Sequence, residues 1–92
     1  MITSQMDDVA DVNKLHHIFG QSKHNFDEFL RAFNGDQKLA YNKLFKETTK
    51  YVNTNGITGQ FDKITVNVIG YDITVSGIVI DGIVNIGTAY IP

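Results

Sequence analysis

The three histidines of the chain, His16, His17 and His24, fall within one stretch, Leu15 to Phe26, which reads Leu-His-His-Ile-Phe-Gly-Gln-Ser-Lys-His-Asn-Phe. Histidine has an unperturbed pKa of about 6.5, so it both takes and gives a proton near neutral pH. Clustered histidines are therefore candidates for a general acid and base pair. Their neighbours extend the set. Gly20 frees the backbone to bend, Lys23 supplies a cation for an anionic substrate, and Asn25 can cap a helix or orient a neighbour. The plain alternative makes His16 and His17 half-buried residues at the end of a leader, Asn25 only a cap and Lys23 a solvated cation. It serves for each residue singly but leaves the clustering of every histidine in one segment unexplained.

Such chemistry needs a scaffold, and 92 residues allow one small domain whose function sits on one face. There is no cysteine, which excludes a disulfide framework and a thiolate zinc site and leaves the redox compartment open. A formal charge of −2 argues against nucleic-acid binding through overall basicity. The charge is nevertheless uneven. Asp7, Asp8 and Asp11 stand without a base near the start, whereas residues 14 to 50 carry Lys14, Lys23, Arg31, Lys38, Lys43, Lys46 and Lys50 against Asp27, Glu28, Asp36 and Glu47. No signal peptide is visible, and the apolar runs fall far short of the ~20 residues that span a bilayer, so the chain reads as soluble, with no membrane insertion.

Taken in order, residues 1 to 13 are polar, acidic and aperiodic, which predicts a flexible leader before a single domain over 14 to 92. Asn25 with Glu28 three residues on, then Phe29, Leu30 and Phe33, predicts a capping box and a helix over Phe26 to Phe33 stopped by Asn34-Gly35. Asp36 can cap a second helix, about Gln37 to Val52, in which Ala40, Tyr41, Leu44, Phe45, Thr48 and Val52 recur at spacings of three and four. Asn53 to Gly56 ends it and Ile57 to Gln60 connects onward.

From Phe61 the period changes to two and the residue types to Val, Ile and Thr, which predicts strands. Gly70 permits a first hairpin turn. Asp81-Gly82 signals a second, of type I′, pairing Ile80 with Ile83 and Val79 with Val84. Counting on from there sets Val75 opposite Thr88 and Ile73 opposite Tyr90, and puts Ile73, Val75, Val79, Val84, Ile86, Thr88 and Tyr90 on the face that meets the helices. Asp72, Thr74, Ser76, Asn85 and Ala89 fall on the other face. A bulge at Gly77 or Gly87 would exchange these assignments locally, with Thr88 and Tyr90 the most affected. Helices first and a meander after give an α+β domain: N-terminal helices packed on a C-terminal antiparallel β-meander of three to four strands.

His17-Ile18-Phe19-Gly20, then Lys23-His24-Asn25-Phe26, then the meander closing in Ile86-Gly87-Thr88-Ala89-Tyr90-Ile91-Pro92, resemble the C-terminal toxin domain known as polymorphic toxin type 35. The resemblance covers roughly residues 14 to 92 and leaves out His16. It implies a ribonuclease of the barnase, EndoU, colicin and RelE fold group, carried at the tip of a secreted or cell-surface effector of the contact-dependent growth inhibition or Rhs type. Such a domain acts in the cytoplasm of the target bacterium on RNA, tRNA among the options, and travels with a cognate immunity protein. The basic balance of residues 14 to 50 makes an acidic partner the expectation.

Metal-free RNA cleavage needs a base for the 2′-hydroxyl proton, an acid for the leaving 5′-oxygen and donors to the phosphate. The resemblance assigns His17 and His24 as the acid and base pair, their separate roles open. Lys23 is then the phosphate cation, with Asn25 beside it on the substrate, and Thr88 and Tyr90 are hydroxyl donors from the last strand; plain sheet packing is the alternative for these two. No metal and no cofactor enter this reading. Two other classes are weighed against it. One is a divalent-metal histidine nuclease acting on DNA through His16, His17 and His24, which lacks a further His or Cys to complete a ligand set. The other is a non-enzymatic protein-binding module displaying the polar sheet face.

Overall fold

The structure, a computed structural model, describes residues 12–20 and 25–92. Among these residues the chain forms α1 (Val12–Phe19), α2 (Asp27–Arg31), α3 (Gln37–Thr54), β1 (Gly59–Val68), β2 (Tyr71–Ile80) and β3 (Ile83–Tyr90). The strands make one antiparallel sheet in the order β1-β2-β3. This is the α+β arrangement of N-terminal helices and C-terminal meander that the order of sequence patterns predicts.

The long helix follows its local code. The Asp36 carboxylate accepts the Leu39 N–H at 3.1 Å, satisfying one of the amides a helix start leaves open. Ala40, Tyr41, Leu44, Thr48 and Val52 then recur on one buried face, while Lys38, Asn42, Lys46 and Lys50 stay in solvent. The helix runs on through Asn53 and Thr54, and at its end the Ile57 N–H bonds to the Val52 carbonyl at 3.0 Å.

The first part of the chain departs from expectation. Val12 and Asn13, read as leader, are helical, and α1 was not foreseen. Eight residues are too few to hold a helix by propensity; Leu15, Ile18 and Phe19, all buried, hold this one by packing against α3 and β3. The rest of the expected leader lies outside the described residues. α2 is shorter than the predicted Phe26 to Phe33, because the Phe33 and Asn34 amides bond only three residues back, to Leu30 and Arg31 at 2.9 and 3.0 Å; the expected stop at Asn34 (φ 57°) and Gly35 (φ 79°) follows, with the Gly35 N–H closing on the Leu30 carbonyl at 2.8 Å. The predicted capping box is absent. Phe26 holds the cap position with no side-chain bond, and Asn25 has φ 60°, a left-handed backbone that cannot take the extended conformation a cap uses.

Both hairpins close on two-residue turns with positive φ at each position, Ile69-Gly70 (45° and 90°) and Asp81-Gly82 (52° and 78°), as type I′ requires. The second sets Ile80 opposite Ile83 and Val79 opposite Val84, as read from the sequence. Between Ser76 and Gly77 the register slips: Gly77 pairs with Ile86 but Ser76 with Thr88, leaving Gly87 as the extra residue of a bulge. Val75 therefore faces Ala89, and Thr74 faces Tyr90, in place of the predicted Thr88 and Ile73 pairings. One residue of slip inverts the face. Ala89 goes into the core beside Val75, Val84 and Ile86, and Thr88 and Tyr90 turn to the outer face, half-buried.

β1 bulges at the same level, with Phe61 opposite Gly77 and Ile64 opposite Val75, so Asp62 and Lys63 bow out beside Ser76. β1 also starts earlier than expected, Gly59 and Gln60 pairing with Val79 and Ile78. The core lies between the helices and the inner sheet face. At its α2 side it is aromatic, with the Phe29 ring 5.1 Å from Phe33 and 5.7 Å edge-on from Tyr71. Among the described residues no helix is long and apolar enough to cross a membrane.

Candidate functional site

α1 positions the first histidines. With Leu15, Ile18 and Phe19 turned inward, the helical period leaves His16 and His17 exposed on the outer side. Gly20 ends the helix, its N–H bonding to the His16 carbonyl at 2.8 Å. Any side chain at Gly20 would collide with that carbonyl and crowd the His16 ring, so the close approach demands glycine.

The chain on both sides of residues 21–24 is anchored. Phe19 and Phe26 are 7% and 2% exposed, and their rings meet edge to face at 5.0 Å. Asn25, in its left-handed conformation, donates its side-chain amide to the Ile91 carbonyl at 2.9 Å. Lys23 and His24 themselves lie outside the described residues. The structure thus joins the neighbourhood of the histidine stretch to the end of the last strand at two places: α1 packs on β3, and Asn25 bonds just beyond it. Asn25, expected as a cap or substrate contact, is a tie between the two ends of the domain.

Thr88 and Tyr90 share the outer sheet face, opposite Ser76 and Thr74. The bulge brings this about, giving a row of polar groups across the two strands in place of the core packing predicted for them. The same level of the sheet carries residues that the sequence reading did not single out. The Ser76 hydroxyl donates to Asp62 Oδ1 at 3.0 Å, while its oxygen accepts the Lys63 N–H at 2.9 Å. Lys63 is held at φ 54°, an uncommon backbone for a residue with a side chain. Gln60, Asp62, Ser76, Ile78 and Thr88 line an open groove of about 490 Å³ here. Glycines inside strand patterns, as at Gly77 and Gly87, are the signal that could have pointed to it.

Among the described residues no three His, Cys, Asp or Glu side chains converge in a way that could hold a metal ion. α1 packs on the inner side of β3 with His17 turned to solvent, whereas Thr88 and Tyr90 stand on the outer face of the same strand, so the structure does not bring His17 and these two hydroxyls together. No family model matches the chain, and no curated protein or solved structure matches it either.

Proposed function

We propose that this domain is a metal-independent endoribonuclease toxin, cleaving RNA by attack of the 2′-hydroxyl on its own phosphodiester. His17 and His24 divide the acid and base roles and Lys23 meets the phosphate; Thr88 and Tyr90, on the outer sheet face, are left out of the reaction. One observation carries the reading. His17 stands in solvent on α1, and the edge-to-face contact of Phe19 with Phe26 at 5.0 Å brings together the chain on either side of residues 21–24.

In this reading the domain is the tip of a larger effector, works in the cytoplasm of the target cell and is silenced in its producer by an acidic immunity protein. The solvent row Lys38, Lys46 and Lys50 on α3 supports that choice of partner charge, and the association rate should fall as salt rises. The test is to incubate the purified chain with total RNA in EDTA, size the products and analyse their ends. Fragments with 2′,3′-cyclic phosphate and 5′-hydroxyl ends are expected. Cleavage of DNA, or of RNA lacking the scissile 2′-hydroxyl, would remove the attacking group and sink the mechanism, and loss of cleavage in EDTA would favour a metal nuclease.

A further inference from the structure

We propose that the outer face of the β2–β3 hairpin is a self-association surface, through which two copies of the chain pack sheet against sheet about a two-fold axis. Dimer formation there is independent of the ribonuclease reading.

The sequence sets this part of the molecule apart. Charged residues make up 20% of the chain, yet residues 52 to 60 hold none and residues 73 to 92 hold only Asp81. An antiparallel sheet with helices on one face ordinarily turns polar side chains to the other. Here Ile78 and Ile80, two residues apart on β2, share the outer face with Ile83, which pairs with Ile80. They are 40%, 52% and 50% exposed. Val79 and Val84, on the inner face, already supply the core at this level, so the isoleucines add nothing to it. Apolar side chains gathered in one exposed patch mark an interaction surface, where a singly exposed residue would not.

Charge decides the occupant. About a two-fold axis each patch meets its own image, so a charged patch meets like charge. The lysine row on α3 is unsuited on that ground, and so are Asp62 and Asp72 toward the β1 side of the sheet. The end of the hairpin is not, since interface centres are depleted of charge. The same lack of charge leaves nothing there for an acidic or basic partner to pair with. A bilayer is disfavoured because Asp81, in the turn itself, would have to enter it first. Size then sets the strength. The outer face of a three-stranded sheet is roughly 14 Å wide and 33 Å long, short of the ~800 Å² per partner of a standard stable interface. The dimer is therefore weak, with a Kd of roughly 0.1–1 mM. Ile83 lies at the opposite end of β3 from the Ile91 carbonyl that holds Asn25, so association leaves that end of the domain open.

The experiment is analytical ultracentrifugation of the intact chain from about 20 µM to about 1 mM, with amide NMR over the same dilution. A reversible monomer–dimer equilibrium is expected, with dilution shifts at Ile78, Ile80, Ile83 and Asn85 and none on α3. Ile80→Lys and Ile83→Lys each set like charges face to face and should weaken the dimer at least about tenfold, in chains that circular dichroism shows to be folded. Lys46→Glu, on α3, should leave it unchanged, and raising the salt from about 50 to about 500 mM should not dissociate it. A monomer at the highest concentration, a dimer that persists in both folded lysine variants, dissociation by salt, or dilution shifts on α3 in place of the hairpin would overturn the assignment. So would a monomer that sediments with phosphatidylcholine vesicles, which would make the patch a lipid contact.

Discussion

Asn25 and Ile91, 66 residues apart, are joined by a 2.9 Å hydrogen bond from the Asn25 side-chain amide to the Ile91 carbonyl. The bond ties the entrance of α2 to the end of β3, and it needs Asn25 at φ 60°. Asparagine is one of the few residues with a side chain that tolerates this backbone. Asn25→Ala should therefore cost about 1–3 kcal/mol, combining the left-handed strain with the lost bond. Asn25→Gly, which keeps the backbone and loses only the bond, should cost less. Urea midpoints of the two variants check the order; equal midpoints would mean that the backbone strain is absent.

His17 stands on the exposed side of α1, so its removal takes no buried apolar packing from the core. His17→Ala is expected to lower the rate of RNA cleavage roughly 10² to 10⁴-fold in a chain that circular dichroism shows to be folded. Combining it with His24→Ala should add little, because residues acting in one step lose most of the activity at the first substitution. A His17→Ala variant as active as the wild type would take His17 out of the mechanism.

Two glycines should respond to alanine in opposite proportion to their space. At Gly77 the new methyl overlaps the Asn85 carbonyl oxygen, a backbone atom of the paired strand that cannot move aside alone. Gly77→Ala should cost about 3 kcal/mol or more, or shift the bulge. At Gly35 nothing lies within 4 Å, and only φ 79° opposes a side chain, so Gly35→Ala should cost about 1–2 kcal/mol. Thermal midpoints measured side by side decide the ranking.

Thr48 is fully buried on α3, and its hydroxyl has no hydrogen-bond partner among the described residues. Thr48→Val keeps the shape and removes the unsatisfied group, and should stabilise the domain by about 1 kcal/mol or more. A destabilised Thr48→Val in chemical denaturation would show that the hydroxyl is satisfied in solution.

Glu47 carries the pH dependence that the structure makes visible. The Lys43 ammonium, 3.3 Å away, hydrogen-bonds to the carboxylate and holds it below the usual carboxylate range; Lys50, at 3.7 Å, adds to the effect. A carboxyl with its folded pKa depressed stabilises the fold above the unfolded value, about 4.3 for glutamate, and that contribution is lost as pH falls through the folded value. The pair is at the surface, so Glu47→Gln should change stability only slightly at pH 7 and flatten the acid limb of the stability curve. An acid limb identical in the variant and the wild type would contradict the pairing.

The elements that the sequence made legible are those coded by near neighbours. Ala40, Tyr41, Leu44, Thr48 and Val52 write the inner face of α3 at helical spacing, and Asp36 marks its start within one turn. Asp81-Gly82 sets the last hairpin because the turn's positive φ angles are a local matter, and the pairs Ile80 with Ile83 and Val79 with Val84 follow by counting. α1 was missed for the converse reason. Its eight residues become a helix only when Leu15, Ile18 and Phe19 find α3 and β3 to cover them.

The histidine stretch and the hydroxyls of the last strand could be picked out by residue type alone, but not the face on which Thr88 and Tyr90 stand. Alternation carries register only until an extra residue enters, and whether one enters at Gly87 depends on how β2 and β3 approach each other at Gly77. Asn25 followed by Glu28 carries a capping signal in one dimension. In three, the carbonyl of Ile91 lies within its reach and takes the side chain away from the helix. Sequence by itself determined the α+β order, the long helix, the hairpin turns and the clustering of chemical groups, all set by interactions across a few residues. Tertiary structure decided which face each group occupies and which distant groups meet, because those outcomes depend on packing between segments that no local pattern encodes.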